Sequence, residues 1–218
     1  MLVCKICDEP YLTINGLAKT FNICKNHVIG PYWCGPYYTK FRHNRDLYWT
    51  DPLTKNIINN KRGLNDASVY LCKLMYKELL KIIEKPIYKE FPQYRLQLDD
   101  LLVIPVPNHE SDRQKPALNL ARNRYWFLAH APAFPVLIAT RGHDPNRKRL
   151  SPEERYEFDL KKYQIAEKIT ENNDVIRNKN ILLIDDLYVS GSTVKICSSI
   201  LLENGAKRVI QLCAGKSQ

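Results

Sequence analysis

Four consecutive apolar residues, Ile181-Leu182-Leu183-Ile184, set the tightest limit on what this chain can fold into. A strand with one wet face alternates apolar and polar side chains. An unbroken apolar run is buried on both faces, as in a parallel sheet covered by helices on either side. The run leads through Asp185-Asp186 and a turn around Gly191 into an amphipathic helix over 192–204, with Gly205 placed to cap it. The same rhythm occurs upstream. Leu101-Leu102-Val103-Ile104-Pro105-Val106 predicts a buried strand, followed by a helix over 116–129 and a strand over 135–139. A charged helix is expected over 152–170 and a closing strand over 208–213. This alternation predicts an α/β domain over 100–218, a parallel sheet flanked by helices.

Ahead of it, Val69, Cys72, Met75, Tyr76, Leu79, Leu80 and Ile83 recur at three- and four-residue steps and predict a helix over 64–84, capped by Asn65 or Asp66. Residues 50–99 therefore read as a linking helix and connector. Residues 1–49 hold four of the seven cysteines and many aromatics, and read as a small irregular module. Apolar residues make up 44% of the chain, enough for a core and too many for a disordered polymer. No apolar run approaches the roughly 20 residues of a membrane helix, so no membrane span is expected. Met1-Leu2-Val3-Cys4-Lys5 starts no hydrophobic signal core, which predicts a cytoplasmic, reducing setting. There, clustered cysteines hold metal rather than pair as disulfides. Lys plus Arg is 33 against 23 for Asp plus Glu, and the resulting +10 favours acidic partners such as nucleic acid or phosphorylated metabolites.

The segment 181–193 carries the chemistry. Asp185 and Asp186 are expected at the exposed C-terminal end of a parallel strand, the edge where such sheets bind ligands. Ser190, Ser192 and Thr193 surround Gly191, whose missing Cβ permits backbone angles closed to other residues. The helix that follows begins with free amides and the positive end of its dipole, a seat for a phosphate. Carboxylates are poor phosphate partners and good acceptors for sugar hydroxyls. Acids for a diol beside amides for a phosphate describe a ribose 5-phosphate site. The plainer alternative is a solvated strand end. A receiver-type phosphoacceptor needs an Asp one strand later, and none follows Asp186; a Walker loop is excluded because no Gly-x-x-x-x-Gly-Lys occurs.

Residues 181–193 resemble the signature for phosphoribosyl pyrophosphate (PRPP) in type I phosphoribosyltransferases. The resemblance implies that Asp185 and Asp186 hold the ribose hydroxyls and act as the catalytic acids, while Tyr188, Val189, Ser190, Gly191, Ser192 and Thr193 wrap the 5-phosphate. The usual Thr-Thr-Gly core is Val189-Ser190-Gly191 here, and Tyr188 is bulkier than the family's common choice. Over nearly its whole length the chain is similar to the ComF family of competence proteins: a cysteine module, a linking helix and a type I phosphoribosyltransferase domain. Asn59-Asn60-Lys61-Arg62-Gly63 resembles that family's Lys-containing step. Ile104-Pro105-Val106-Pro107 resembles its Val-Pro-Val-Pro strand, placing the pyrophosphate loop at Val106, Pro107 and Asn108. Leu150-Ser151-Pro152-Glu153-Glu154-Arg155 resembles its Leu-Ser-x-x-Glu-Arg segment. Two features depart from it: Arg-Gly-Phe-Asn-Gln is replaced by Arg113-Gln114-Lys115-Pro116-Ala117-Leu118-Asn119, and Phe158 stands where the family places Asn. Transfer from PRPP needs its departing pyrophosphate neutralised by Mg²⁺ and basic side chains. Arg141, Arg147, Lys148 and Arg149 lie in a loop that either folds over such a ligand or is simply solvated.

Cys4-Lys5-Ile6-Cys7 and Cys24-Lys25-Asn26-His27 have the paired spacing of a tetrahedral structural zinc site, with Cys34 as an alternative fourth ligand. Cys72, Cys197 and Cys213 read as small core residues. Beyond the module, Tyr32, Trp33, Tyr37, Tyr38, Phe41, Tyr48 and Trp49 mix with Lys40, Arg42 and Arg45. Such a stretch either stacks bases of single-stranded nucleic acid or supplies the module's own core. The family resemblance implies handling of single-stranded DNA, in uptake or a related DNA-linked process, with DNA-processing protein partners. The rival functions are a true Mg²⁺-dependent phosphoribosyltransferase of nucleotide metabolism and a zinc-dependent nucleic-acid-binding protein without PRPP chemistry.

Overall fold

A computed structural model describes residues 2–3, 10–11, 27–39, 45–85, 96–108, 115–122, 126–132, 135–140, 151, 154, 157–158, 160–167 and 175–218. The main sheet is built from β3 (Val28–Trp33), β4 (Pro36–Tyr37), β5 (Leu101–Pro105), β8 (Asn180–Tyr188) and β9 (Arg208–Ser217). Its order is β3-β9-β8-β5, with β4 continuing along β9, and every pairing in it is parallel. β8 and β9 run in register from Asn180↔Arg208 to Tyr188↔Lys216. The unbroken apolar run does what its pattern requires. Ile181 and Leu183 face a core formed with α6 (Ser192–Glu203), while Leu182 and Ile184 face a second core under the helices that precede β5.

Those helices are α1 (Arg45–Thr50), α2 (Pro52–Lys61) and α3 (Asn65–Ile83). Asp51 starts α2: its carboxylate accepts the Thr54 N–H at 2.7 Å, and Pro52 supplies the preset φ of the first turn. The expected helix over 64–84 is α3, and it buries Leu71, Cys72, Met75, Leu79 and Ile82 against the sheet; the expected cap is corrected, because Asn65 and Asp66 are already in the first turn and the N-cap is Leu64, which makes no side-chain bond. It is therefore one layer of the domain rather than a linker. The composition boundary at residue 49 does not divide the sheet either, because Val28–Trp33 adds a strand along β9. β9 is ten residues long and apolar on both faces, so it needs a partner on each edge, and β3 supplies the second. Close packing at this edge leaves no room for side chains at two glycines: a Cβ on Gly215 would lie 2.6 Å from Ile57, and one on Gly35 would lie 2.8 Å from Leu53.

The segment over 116–129 contains α4 (Pro116–Ala121) and α5 (Trp126–Ala129). Two further expectations are corrected. The strand over 135–139 is β6 (Leu137–Ala139), and it pairs not with the main sheet but antiparallel with β7 (Tyr163–Ile165). Its ribbon is closed by the Thr140 N–H donating to the Lys162 carbonyl at 2.7 Å, while on β5 the Val103 N–H donates to the His130 carbonyl at 2.9 Å. β7 also ends the charged helix expected over 152–170 before Tyr163, whose ring is buried in the α6-side core. At the front, β1 (Leu2–Val3) and β2 (Pro10–Tyr11) pair antiparallel on either side of the Cys4/Cys7 segment. No described helix is long and apolar enough to cross a membrane.

Candidate functional site

β8 carries the acid pair further than the apolar run suggests. Asp185 and Asp186 are inside the strand, which continues to Tyr188, and Asp186 is only 6% exposed. The expectation of an exposed strand end is thus corrected. Ladder pairing with β9 reaches Lys216 and carries the acids beneath the rim of the sheet. The strand's alternation sends them to opposite faces, Asp185 with Leu183 and Asp186 with Ile184. The Asp186 N–H donates to Asp185 Oδ1 at 2.8 Å. Burial, and after it the neighbouring Asp186 charge, push the Asp185 carboxyl well above its ordinary value. The same buried carboxyl raises the Cys197 and Cys213 thiols, whose own burial is the larger cause. Both cysteines sit in the core, as their helix and strand positions predict.

Asp186 faces α2. Lys61 Nζ stands 3.2 Å from Asp186 Oδ2, a charge contact without hydrogen-bond alignment. Burial lowers the Lys61 ammonium, but the attraction of Asp186 outweighs it and the group titrates above its ordinary value. Lys61 also lies 5.9 Å from the centroid of the Tyr37 ring. Its place is fixed by the preceding residue. Buried Asn60 donates from Nδ2 to the Pro116 carbonyl at 3.2 Å and accepts the Ser68 hydroxyl at 2.7 Å, while its own carbonyl accepts Asn119 Nδ2 at 3.0 Å. One side chain and its backbone therefore tie α2, α3 and α4 together beside the acid pair. Lys61 does not follow from the acid–turn pattern; its only sequence signal is the Asn-Asn-Lys-Arg-Gly step before α3.

After Tyr188 the chain turns through exposed Val189 and Ser190 to Gly191, which has φ +77° and is the N-cap of α6. This helix has no side chain at its N-cap, and its first amide, the Ser192 N–H, donates to Ser190 Oγ at 3.5 Å. Its first amides cannot bond within the helix and are directed at the turn. The Ser190 and Ser192 hydroxyls are 2.9 Å apart. A Cβ on Gly191 would meet the Tyr188 ring at 2.5–2.7 Å, so the ring lies directly on this glycine. Tyr188 in turn stacks on Trp33 of β3 at 5.7 Å between centroids, and Lys216 Nζ lies 4.4 Å from the Trp33 centroid. The bulky residue at 188 thus joins the turn to the sheet edge.

The structure brings Asp185, Asp186, Tyr188, Val189, Ser190, Gly191, Ser192 and Thr193 to one end of β8. Val106 adjoins them, its N–H donating to the Ile184 carbonyl at 2.9 Å. Pro107 and Asn108 point elsewhere. With Val106, Lys115, Leu118 and Arg122 they line a cleft of about 740 Å³ between β5, α4 and β6 that does not include the acids. Arg141, Arg147, Lys148 and Arg149 lie outside the described residues, between β6 and β7 in the sequence.

Of the expected zinc ligands, Cys4, Cys7 and Cys24 also lie outside the described residues. His27 fits a metal. Its Nδ1 is 3.1 Å from the Lys207 carbonyl, an acceptor, so Nδ1 carries the proton. That leaves a lone pair on Nε2, which is buried and has no hydrogen-bond partner among the described residues. A backbone carbonyl fixing one imidazole nitrogen while the other points inward is the usual outer shell of a metal-bound histidine. Cys34 is less suited, since burial pushes its thiol up to about 12 and its packing is with the α2–α3 core.

No family model and no curated protein matches this chain.

Proposed function

We propose that this is a ComF-like protein whose type I phosphoribosyltransferase-like domain binds PRPP and whose zinc-bearing front serves work on single-stranded DNA. The observation that carries the PRPP assignment is the start of α6. A left-handed glycine as the N-cap of a helix, hydroxyls on either side of it and an acid pair on the strand feeding it meet within nine residues, Asp185 to Thr193. The helix amides would seat the 5-phosphate. The family resemblance gives the ribose hydroxyls to Asp185 and Asp186; Asp186, paired with Lys61, would accept from one of them, and Asp185 holds the Asp186 amide through Oδ1. The family resemblance gives the pyrophosphate to Val106, Pro107 and Asn108 and to Arg141, Arg147, Lys148 and Arg149; of these Val106 adjoins the acid pair, while Pro107 and Asn108 line the neighbouring cleft. Mg²⁺ bound with PRPP would neutralise charge on the departing pyrophosphate, and the Asp carboxylates are the hard oxygen donors it takes. Zinc would be held by Cys4, Cys7, Cys24 and His27 in a structural role.

The DNA assignment rests on the +10 charge and the resemblance. Several rings of the aromatic stretch are already engaged: Trp33 with Tyr188 and Lys216, Tyr37 near Lys61, and Tyr32 under Lys85. Trp49, 55% exposed on α1 and set edge-on to Tyr48 at 4.8 Å between centroids, is the most exposed of the described rings in this stretch. Calorimetric titration of PRPP with Mg²⁺ tests the assignment. Saturable binding that Asp186→Asn weakens is expected, and absence of heat removes it. A second reading is true phosphoribosyl transfer, which pyrophosphate release in the presence of a nucleobase or amine acceptor would reveal.

A further inference from the structure

We propose that Lys61 is the specificity residue of this site, covering Asp186 until a ligand that brings an anion together with a vicinal diol takes up its ammonium. This rests on the sugar-phosphate assignment above. The Lys61 side chain is 29% exposed and that of Asp186 9%, so a ligand entering from solvent meets the ammonium first. Asp186 Oδ2 is buried and has no aligned hydrogen bond, which leaves its lone pairs available to a hydroxyl once Nζ moves. The base of the side chain is anchored, because Lys61 closes α2 directly after the Asn60 bonds to Pro116, Ser68 and Asn119. The four-carbon stem beyond it can swing.

Displacing the ammonium from a half-buried carboxylate is unfavourable unless it finds another anion. A ligand with hydroxyls alone would strand it. Ribose 5-phosphate offers one phosphate, and the α6 amides take it. A second anionic group on the anomeric side of the sugar restores a partner for Lys61. The site therefore selects a ribose with anions at both ends over ribose or its monophosphate, and the selecting group is on α2, outside the strand and turn that hold the ligand.

The test is the ratio of affinities for PRPP and ribose 5-phosphate, both with Mg²⁺, in the full chain and in Lys61→Met, with a thermal melt of each variant. The wild type is expected to favour PRPP by at least about tenfold. Lys61→Met should bring the ratio near one, through weaker PRPP and unchanged or tighter ribose 5-phosphate, and Lys61→Arg should restore the preference. If Lys61→Met does not melt cooperatively, Lys61→Gln, which keeps a donor near Asp186 without the charge, takes its place. A wild-type preference that survives in a folded neutral variant overturns the role of Lys61 and leaves the sugar-phosphate assignment standing. A wild type that binds neither ligand removes that assignment, and the role of Lys61 with it.

Discussion

Asp185 works against the stability of the protein that holds it. Its folded-state carboxyl titrates above the unfolded one, so between those values the native state binds the proton more strongly, and stability falls as pH rises through the folded value. Asp185→Asn should therefore stabilise the chain at pH 8 by on the order of 1 kcal/mol, with the gain fading toward pH 4. Urea unfolding at a series of pH values checks this, and a gain independent of pH would contradict it. Lys61 has the opposite sign. Its raised value gives stability that is present at neutral pH and lost only as pH rises above the ordinary lysine range. Lys61→Met leaves Asp186 buried without a counter-charge and should cost about 1–3 kcal/mol, most of it recovered in Lys61→Met/Asp186→Asn. A double-mutant cycle in urea measures the recovery.

At the scale of elements, the turn between β8 and α6 is held by Gly191. Gly191→Ala must accept a left-handed backbone and a Cβ inside the Tyr188 ring, a loss of about 1–3 kcal/mol. Tyr188→Ala should relieve the contact but not the backbone strain, so the double variant should regain only a fraction of the loss in thermal melting. The α2–α3–α4 junction depends on Asn60 in the same way. Asn60→Leu leaves the Ser68 hydroxyl and the Pro116 carbonyl without this partner in a buried site, which should cost about 2 kcal/mol or more. Lys61 should loosen with it, visible as faster hydrogen exchange at the end of α2. The sequence marks this junction only faintly. Asp51-Pro52 is a readable helix start, yet the meeting of α2 with the end of β8 joins residues far apart in the chain.

Across the whole molecule, the front and the end of the sheet that carries the acid pair share β9. The His27 carbonyl accepts the Val209 N–H and its ring is tied to Lys207, while Trp33, at the far end of β3, stacks on Tyr188. Chelation of zinc should therefore lower the melting temperature of the entire domain rather than melt a separate module, and Cys4→Ser/Cys7→Ser should reproduce this with loss of bound metal by atomic absorption. With a surplus of ten positive charges, affinity for single-stranded DNA should fall linearly in log–log plots against salt. Read alone, the sequence determined what depends on neighbours along the chain: the strand with both faces buried, the turn that only glycine can make, the helix over 64–84 and the α/β class, because periodicity and backbone sterics act over a few residues. It misplaced residues 28–33, 135–139 and 163–165, since which strand a short apolar segment joins depends on which edge is vacant. Only the tertiary structure decided that Asp186 is covered, that Lys61 covers it and that Tyr188 rests on Gly191 with Trp33 behind it. These contacts span gaps of up to about 155 residues, and no local pattern encodes a distance closed by packing.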